Sequence, residues 1–260
     1  MRVDLGGRTA LVTGSTAGIG KAVAAGLAAA GADVVVNGRT VERVERAVAE
    51  VGERARGVVA DVGTIAGVER LLAEAPEVDI LVNNAGFFEP RGFFEIDDDE
   101  WRRAFEVNVM SGVRLSRALV PGMVERGWGR VVFVSSESAL QIPVEMVHYG
   151  MTKTAQLAVS RGLAESVPAT GVTVNAVLPG PTHTEGVEAM LADRVERGEA
   201  ADTAEAGRQF IAAHRPTSLL GRLATPEEVA NLVVYVCSEQ AAATTGAALR
   251  VDHGVVRAIP

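Results

Sequence analysis

The stretch TALVTGSTAGIG, residues 9–20, places a short apolar run directly before a turn rich in glycine. A segment with helical periodicity, GKAVAAGLAAAG, overlaps its end. Glycine allows a tight bend and a close approach of backbone, and amides at the start of a helix favour a phosphate. The pattern predicts a strand, a phosphate-binding turn and a helix, with these ligand-binding residues: Gly14, Ser15, Thr16, Gly18, Ile19 and Gly20.

The glycine spacing differs from G-x-G-x-x-G, and the turn lacks the G-K-[ST] ending of a P-loop. A P-loop kinase or ATPase is therefore not favoured. A glycine turn that serves packing alone remains the alternative interpretation.

Apolar runs of strand length alternate with helix-patterned segments along the rest of the chain. Strands that are apolar on both faces are typical of a parallel sheet covered by helices on each side. The sequence predicts an α/β fold, a doubly wound parallel sheet of about seven strands with helices on both faces. The predicted strands are 9–14, 32–38, 56–62, 79–86, 130–136, 172–180 and 247–252, and a last helix begins at 226.

The length of 260 residues and the apolar content of 48% are compatible with a single domain over 1–260. Residues 184–218 form a charged, helix-prone insertion that follows a strand end. Ligands bind at this edge of open α/β sheets, so the insertion is a candidate substrate lid. A solvated helical decoration is the alternative.

A net charge of −8 and a pI near 5.2 argue against a nucleic-acid partner. The start of the chain lacks a signal-peptide pattern and no long apolar run occurs, so we expect a cytoplasmic protein without a membrane partner. The single cysteine, Cys237, reads as a packed thiol. The four histidines are isolated from other ligand types, which predicts no metal site.

The second predicted strand ends in VVVNGRT, residues 34–40. A site that selects an unphosphorylated ribose usually has a carboxylate there, but this chain has Gly38 followed by Arg39. A ribose 2′-phosphate would meet a cation, so the sequence favours NADP over NAD, with Asn37, Arg39 and Thr40 beside the phosphate.

The third and fourth predicted strands end in polar or small residues that suit an adenine and a ribose. Asp61, with Val62, is placed to accept a hydrogen bond from an adenine amino group, although a helix cap is the alternative for Asp61. In NNAG, residues 83–86, the small residues allow a close approach of backbone, and the second Asn could hold neighbouring strand ends together. We expect Asn83, Ala85 and Gly86 to bind the cofactor.

Tyr149 and Lys153 are four residues apart, so they project from one face of a helix. An ammonium beside the phenol would lower the pKa of Tyr149 and make it a usable acid or base. Ser136 ends an apolar strand, where its hydroxyl could bind a carbonyl oxygen.

These motifs occur in the order and spacing of the short-chain dehydrogenase/reductase family, which nearly the whole chain resembles. They are TGSTAGIG, Asp61, NNAG, Asn108 in FEVNVMSG, Ser136, Tyr149-x-x-x-Lys153 and LPGPTHT at 178–184. The resemblance implies a Rossmann sheet and a catalytic tetrad of Asn108, Ser136, Tyr149 and Lys153. Tyr149 would be the acid/base, Lys153 would also bind the nicotinamide ribose, and Asn108 would anchor a proton-relay water.

The resemblance also implies that the turn after the sixth strand meets the nicotinamide through these residues: Pro179, Gly180, Thr182 and Thr184. Three positions depart from the family's usual pattern. Glu137 follows the serine, His148 precedes the tyrosine, and the terminal motif reads VDHG, with His253 in place of the usual glycine. Their roles stay open.

The sequence therefore predicts an NAD(P)-dependent oxidoreductase that acts on a small carbonyl or alcohol, most simply an NADPH-dependent reductase. A catalytically idle nucleotide sensor on the same fold and a longer epimerase or dehydratase are the alternatives. The resemblance implies a homotetramer or dimer. Candidate apolar contacts of the lid with substrate are Val187, Met190, Leu191, Phe210 and Ile211, and no particular substrate is indicated.

Overall fold

Within residues 2–75 and 77–259, which the computed structural model describes, seven parallel strands form one sheet. The order across the sheet is β3-β2-β1-β4-β5-β6-β7. The predicted α/β fold is confirmed. The strands are β1 (Thr9–Val12), β2 (Asp33–Gly38), β3 (Ala55–Val59), β4 (Ile80–Asn83), β5 (Gly129–Val134), β6 (Val172–Pro179) and β7 (Ala248–Val251).

Helices cover both faces of the sheet. They are α1 (Gly18–Ala29), α2 (Val41–Val51), α3 (Ile65–Glu74), α4 (Asp98–Phe105), α5 (Ser111–Glu125), α6 (Val147–Glu165), α7 (Glu185–Glu196), α8 (Thr203–His214) and α9 (Pro226–Val236). In β1, Ala10 and Val12 join the apolar core on one face, while Leu11 joins the core on the other. This alternation explains why the strands are apolar throughout.

The strand order reverses beside β1, which pairs with β2 on one side and with β4 on the other. The connections that leave β1 and β4 must therefore diverge, and a crevice opens at their carboxyl ends. Several strands end sooner than the sequence predicts. β1 stops at Val12 and β4 at Asn83, because the following residues leave the strand ladder to form the crevice.

Between α4 and α5, residues Glu106–Met110 form a π-helical turn that the sequence did not predict. Such widened turns are rare and displace backbone carbonyls from their usual helical partners. Asn108 lies in this turn and is buried.

His253, the departure in the terminal motif, adopts a φ of 57°. This is the left-handed region, where glycine has no steric penalty and histidine does. The geometry explains why glycine suits this position. Cys237 is fully buried in the core, as predicted, and burial raises the pKa of its thiol to about 12.

No helix in the described ranges is long and apolar enough to cross a membrane. Within the same ranges, no group of three or more His, Cys, Asp or Glu side chains could hold a metal ion.

Candidate active site

A cleft of about 980 Å³ lies at the carboxyl ends of the strands, from the glycine turn to helices α7 and α8. Most of the predicted site residues line it, although they come from distant parts of the chain. They are Gly14, Thr16, Gly18, Ile19, Gly20, Asn37, Arg39, Asp61, Val62, Ala85, Gly86, Ser136, Tyr149, Lys153, Pro179, Gly180, Thr182 and Thr184.

The glycine turn fits a close approach of a ligand to backbone. Gly14 has a φ of 61°, and a Cβ there would lie 3.0 Å from the Cα of Ala85. A Cβ on Gly20 would collide with the side chain of Asn84 and lie 2.5 Å from the carbonyl oxygen of Gly14. Glycine is therefore required at both positions, and the backbone that precedes α1 forms the floor of the cleft.

Two predicted cofactor-binding side chains support the turn from behind. Ser15 is fully buried, and its hydroxyl donates to the carbonyl of Val12 at 2.7 Å and accepts from the amide of Asn37 at 3.0 Å. The side chain of Asn37 accepts from the Gly14 amide at 3.3 Å and donates to the carbonyls of Val58 and Ala60. Ser15 does not line the cleft, whereas Asn37 does, with its side-chain nitrogen and oxygen hydrogen-bonded to backbone atoms of the protein.

Asn83, another predicted cofactor-binding residue, does not line the cleft. Consecutive residues at a strand end face opposite sides, and the side chain of Asn83 is buried toward α5, where it donates to Ser116 at 3.4 Å. Asn84 faces the turn instead, and its side chain donates to the carbonyls of Thr13 and Gly14 at 2.9 and 3.1 Å. This second Asn of NNAG holds neighbouring strand ends together, as the sequence suggested.

The end of the cleft beside β2 carries positive charge. A Cβ on Gly38 would collide with Thr16 and lie 3.0 Å from the side chain of Val44, so a carboxylate cannot occupy this position without rearrangement. Arg39 and Arg43, both exposed, line the cleft here. The sequence did not indicate Arg43, which comes to the cleft because α2 begins at this edge.

Asp61 lies at the cleft edge after β3, with its carboxylate accepting from the Gly63 amide at 3.0 Å. The alternative role as a helix cap is wrong. Thr64 caps α3, and its hydroxyl accepts from the amide of Gly67 at 3.0 Å.

Tyr149 and Lys153 project together from α6, with the lysine Nζ 5.5 Å from the centre of the phenol ring. Lys153 is buried and donates to the carbonyl of Val134 at 2.8 Å. Removal from water lowers its pKa to about 7. His148 is fully buried, packs edge-on against the Trp101 ring and does not line the cleft.

The expected lowering of the Tyr149 pKa does not occur in this structure. Burial raises the pKa of the phenol, the negative charge of Glu137 raises it further, and the nearby Ser136 hydroxyl opposes the shift. Lysine does not offset these effects because burial weakens its own charge. The tyrosine is therefore held as the neutral phenol, which is the form that donates a proton.

Asn108 lies behind the cleft wall and does not line it. Its side chain bonds both backbone groups of Phe87, at 2.6 and 2.9 Å, and donates to Thr152 at 2.9 Å. The backbone carbonyl of Asn108 accepts from Gln156 Nε2 at 2.5 Å, and Gln156 Oε1 accepts from Lys153 Nζ at 3.2 Å. The side chain of Gln156 thus bridges Lys153 and Asn108, the two residues that the resemblance implied are linked by a water.

Ser136 has two neighbours that the sequence did not reveal as a group. Its hydroxyl lies 2.5 Å from Glu137 Oε2, and Arg215, just after α8, donates to Glu137 Oε1 at 2.8 Å. The serine, the carboxylate and the guanidinium all line the cleft. The only sequence signal was the acidic residue directly after Ser136.

The turn after β6 lies across the cleft from the glycine turn. A Cβ on Gly18 would lie 3.0 Å from the Thr184 methyl group, and the Thr182 hydroxyl donates to the Gly180 carbonyl at 2.9 Å. Of the predicted lid contacts, Val187 and Phe210 line the cleft. Leu191 and Ile211 are buried away from it and Met190 does not line it, because α7 and α8 pack against each other.

The doubly wound sheet, the glycine turn and the Ser-Tyr-Lys group define a class of dinucleotide-dependent oxidoreductases. The sequence matches the short chain dehydrogenase family over residues 8–194, and the chain belongs to that family. It is an enzyme, an NAD(P)-dependent oxidoreductase of the short-chain type.

Three similar proteins cover essentially the same length. An uncharacterized oxidoreductase of Bacillus subtilis, YvaG, is 50% identical over 100% of both chains. A 3-oxoacyl-[acyl-carrier-protein] reductase of Escherichia coli is 35% identical over 96% of this chain and 97% of its own. The L-sorbose reductase of Gluconobacter frateurii, solved with NADPH and L-sorbose, is 34% identical over 100% of both chains, with a TM-score of 0.93.

Proposed function

We propose that the protein is an NADPH-dependent reductase of a small ketone or aldehyde. The observation that carries this proposal is the opposition of two sites in one cleft. At one end, Arg39 and Arg43 line the cleft, and glycine occupies position 38, where a carboxylate would select NAD. At the other end lie Ser136, Tyr149 and Lys153. The NADPH complex of the sorbose reductase, which has the same fold, supports the choice of cofactor.

The residues of the cleft suit a bound dinucleotide. The glycine turn would receive the pyrophosphate, Asp61 and Val62 the adenine, and Arg39 with Arg43 the 2′-phosphate. Thr182 and Thr184 would face the nicotinamide, and Lys153 its ribose. When bound, the cofactor supplies the hydride that the substrate's carbonyl carbon receives.

The protein's own residues would control the carbonyl oxygen. Tyr149, held as the phenol, donates its proton to that oxygen as the oxygen gains charge. Ser136 holds the same oxygen by a hydrogen bond. The phenolate left on Tyr149 would be stabilised by the ammonium form of the nearby lysine.

This function is tested by following the oxidation of NADPH and NADH with a panel of ketones and aldehydes. We expect oxidation that depends on the carbonyl and a KM at least about tenfold lower for NADPH than for NADH. Arg43→Ala should reduce the ratio of the KM for NADH to the KM for NADPH. Arg46→Ala, a residue outside the cleft, should leave that ratio unchanged. A tenfold preference for NADH would disprove the cofactor assignment.

Tyr149→Phe gives the sharpest test of the chemistry. Loss of the acid should lower kcat by about 10³-fold or more, while the Kd of NADPH changes by less than about threefold. The measurements are steady-state rates and fluorescence titration with NADPH. A variant that retains turnover would show that another group supplies the proton. A cytoplasmic location remains an expectation from the sequence pattern, and a dimer or tetramer remains an expectation from the resemblance.

A further inference from the structure

Glu137 is a buried carboxylate in the wall of the cleft, and the chemistry described above does not use it. Glu137 is only 3% exposed. One oxygen contacts Ser136 and the other contacts Arg215, which reaches the cleft from the end of α8. The pair therefore connects the candidate lid, residues 184–218, to the serine that should hold the substrate.

The hydrogen bond between Ser136 and Glu137 has a fixed direction. A carboxylate paired with a guanidinium has no proton to give, so the serine hydroxyl is the donor at 2.5 Å. The same hydroxyl accepts from the amide of Ser138 at 3.0 Å. A hydroxyl has one proton, so while it is bonded to Glu137 it has none for a carbonyl oxygen.

This conflict is resolved when the substrate itself gives Glu137 a donor. Each oxygen of Glu137 has one partner here and a carboxylate oxygen accepts about two hydrogen bonds, so the carboxylate has capacity left toward the cleft. In a ketone with a hydroxyl on the adjacent carbon, the two oxygens lie about one hydrogen-bond length apart. That separation is similar to the distance from Ser136 Oγ to Glu137 Oε2.

We propose, building on the proposed reductase function, that Glu137 selects α-hydroxy ketones as substrates. The substrate hydroxyl donates to Glu137 Oε2 and replaces Ser136, whose proton turns to the carbonyl oxygen beside it. Arg215 is a positioning residue that holds the carboxylate toward the cleft. A ketone without the hydroxyl must compete with Glu137 for the serine's proton and is reduced more slowly.

The test compares hydroxyacetone with butan-2-one, which replaces the hydroxyl by a methyl group of similar size. With NADPH, the natural enzyme should show a kcat/KM at least about tenfold higher for hydroxyacetone, because a hydrogen bond to a buried charge is at stake. Glu137→Gln should reduce this ratio to about threefold or less, mainly because kcat/KM for hydroxyacetone falls. The matched control is Glu145→Gln, whose side chain does not line the cleft, and it should keep the ratio.

The variant Glu137→Gln leaves Arg215 without its partner, so a second variant protects the test from misfolding. The double variant Glu137→Gln with Arg215→Gln removes both charges and should also lose the preference, while fluorescence titration confirms that it binds NADPH. An unchanged ratio in both variants, or an equal loss for the two ketones, overturns the selection role and leaves Glu137 as a structural contact. If the natural enzyme reduces neither these ketones nor the carbonyl panel, the reductase function itself fails.

Discussion

The two ends of the cleft are built in different ways. At the cofactor end, where we propose that NADPH binds, the shape of the cleft is set by backbone and by the absence of side chains, as at Gly14, Gly20 and Gly38. At the substrate end, charged and hydroxyl side chains from distant elements decide the chemistry, as in the group of Ser136, Glu137 and Arg215. A chemical group that many ligands share can be bound by the backbone of one short motif. Selectivity for one substrate needs side chains that the tertiary structure brings together.

If the cofactor end depends on backbone fit, then Gly20→Ala should damage it most severely. The added Cβ meets Asn84 and the Gly14 carbonyl, so we expect about 1–3 kcal/mol of lost stability and an NADPH affinity weaker by about tenfold or more. Gly162→Ala is the control, because no atom lies within 4 Å of a Cβ there, and it should be neutral or stabilising. Thermal unfolding and NADPH titration measure both. An unaffected Gly20→Ala protein would mean that the turn can adjust.

Lys153 lines the cleft but is buried, and this burial predicts a pH dependence of stability in the cofactor-free protein. Its folded-state pKa of about 7 is below the usual 10.5, so the unfolded chain binds more protons between these values. The free energy of unfolding should therefore fall as pH falls from about 10.5 to about 7 and be constant below. We expect about 2 kcal/mol between pH 9 and pH 7 from this residue. Lys153→Met should flatten that part of the curve in urea unfolding, and an unchanged slope would contradict the assignment.

Gln156 supports Lys153 from behind, and two substitutions separate its hydrogen bonds from its volume. Gln156→Leu fills the space but offers no hydrogen-bond donor or acceptor, so kcat should fall by about fivefold. Gln156→Ala instead leaves room for a water that bridges Lys153 and Asn108. The alanine variant should retain more activity than the leucine variant and keep the pH profile of kcat. Ser160→Ala, on the same helix at a buried hydroxyl without a hydrogen-bond partner, is the control. Equal activity in the two Gln156 variants would exclude a positioning role.

Local patterns predicted the backbone of the glycine turn and the elements on either side of it. The order of strands and helices follows from apolar periodicity, and the glycine turn indicates its own conformation. Ser15, in the turn after β1, and Asn83, at the end of β4, do not line the cleft because their side chains face the protein interior. A motif shows that a residue belongs to the site, but the side that it faces depends on where its strand stops.

The sequence by itself determined the order of strands and helices, the glycine turn and the pairing of Tyr149 with Lys153, because each depends on residues close together along the chain. Only the tertiary structure decided that Gln156 stands between Lys153 and Asn108, that Arg43 joins Arg39, and that Arg215 reaches Glu137. These contacts join residues up to 78 positions apart. The direction of the Tyr149 pKa was likewise decided by burial, which depends on what the whole fold packs around the phenol.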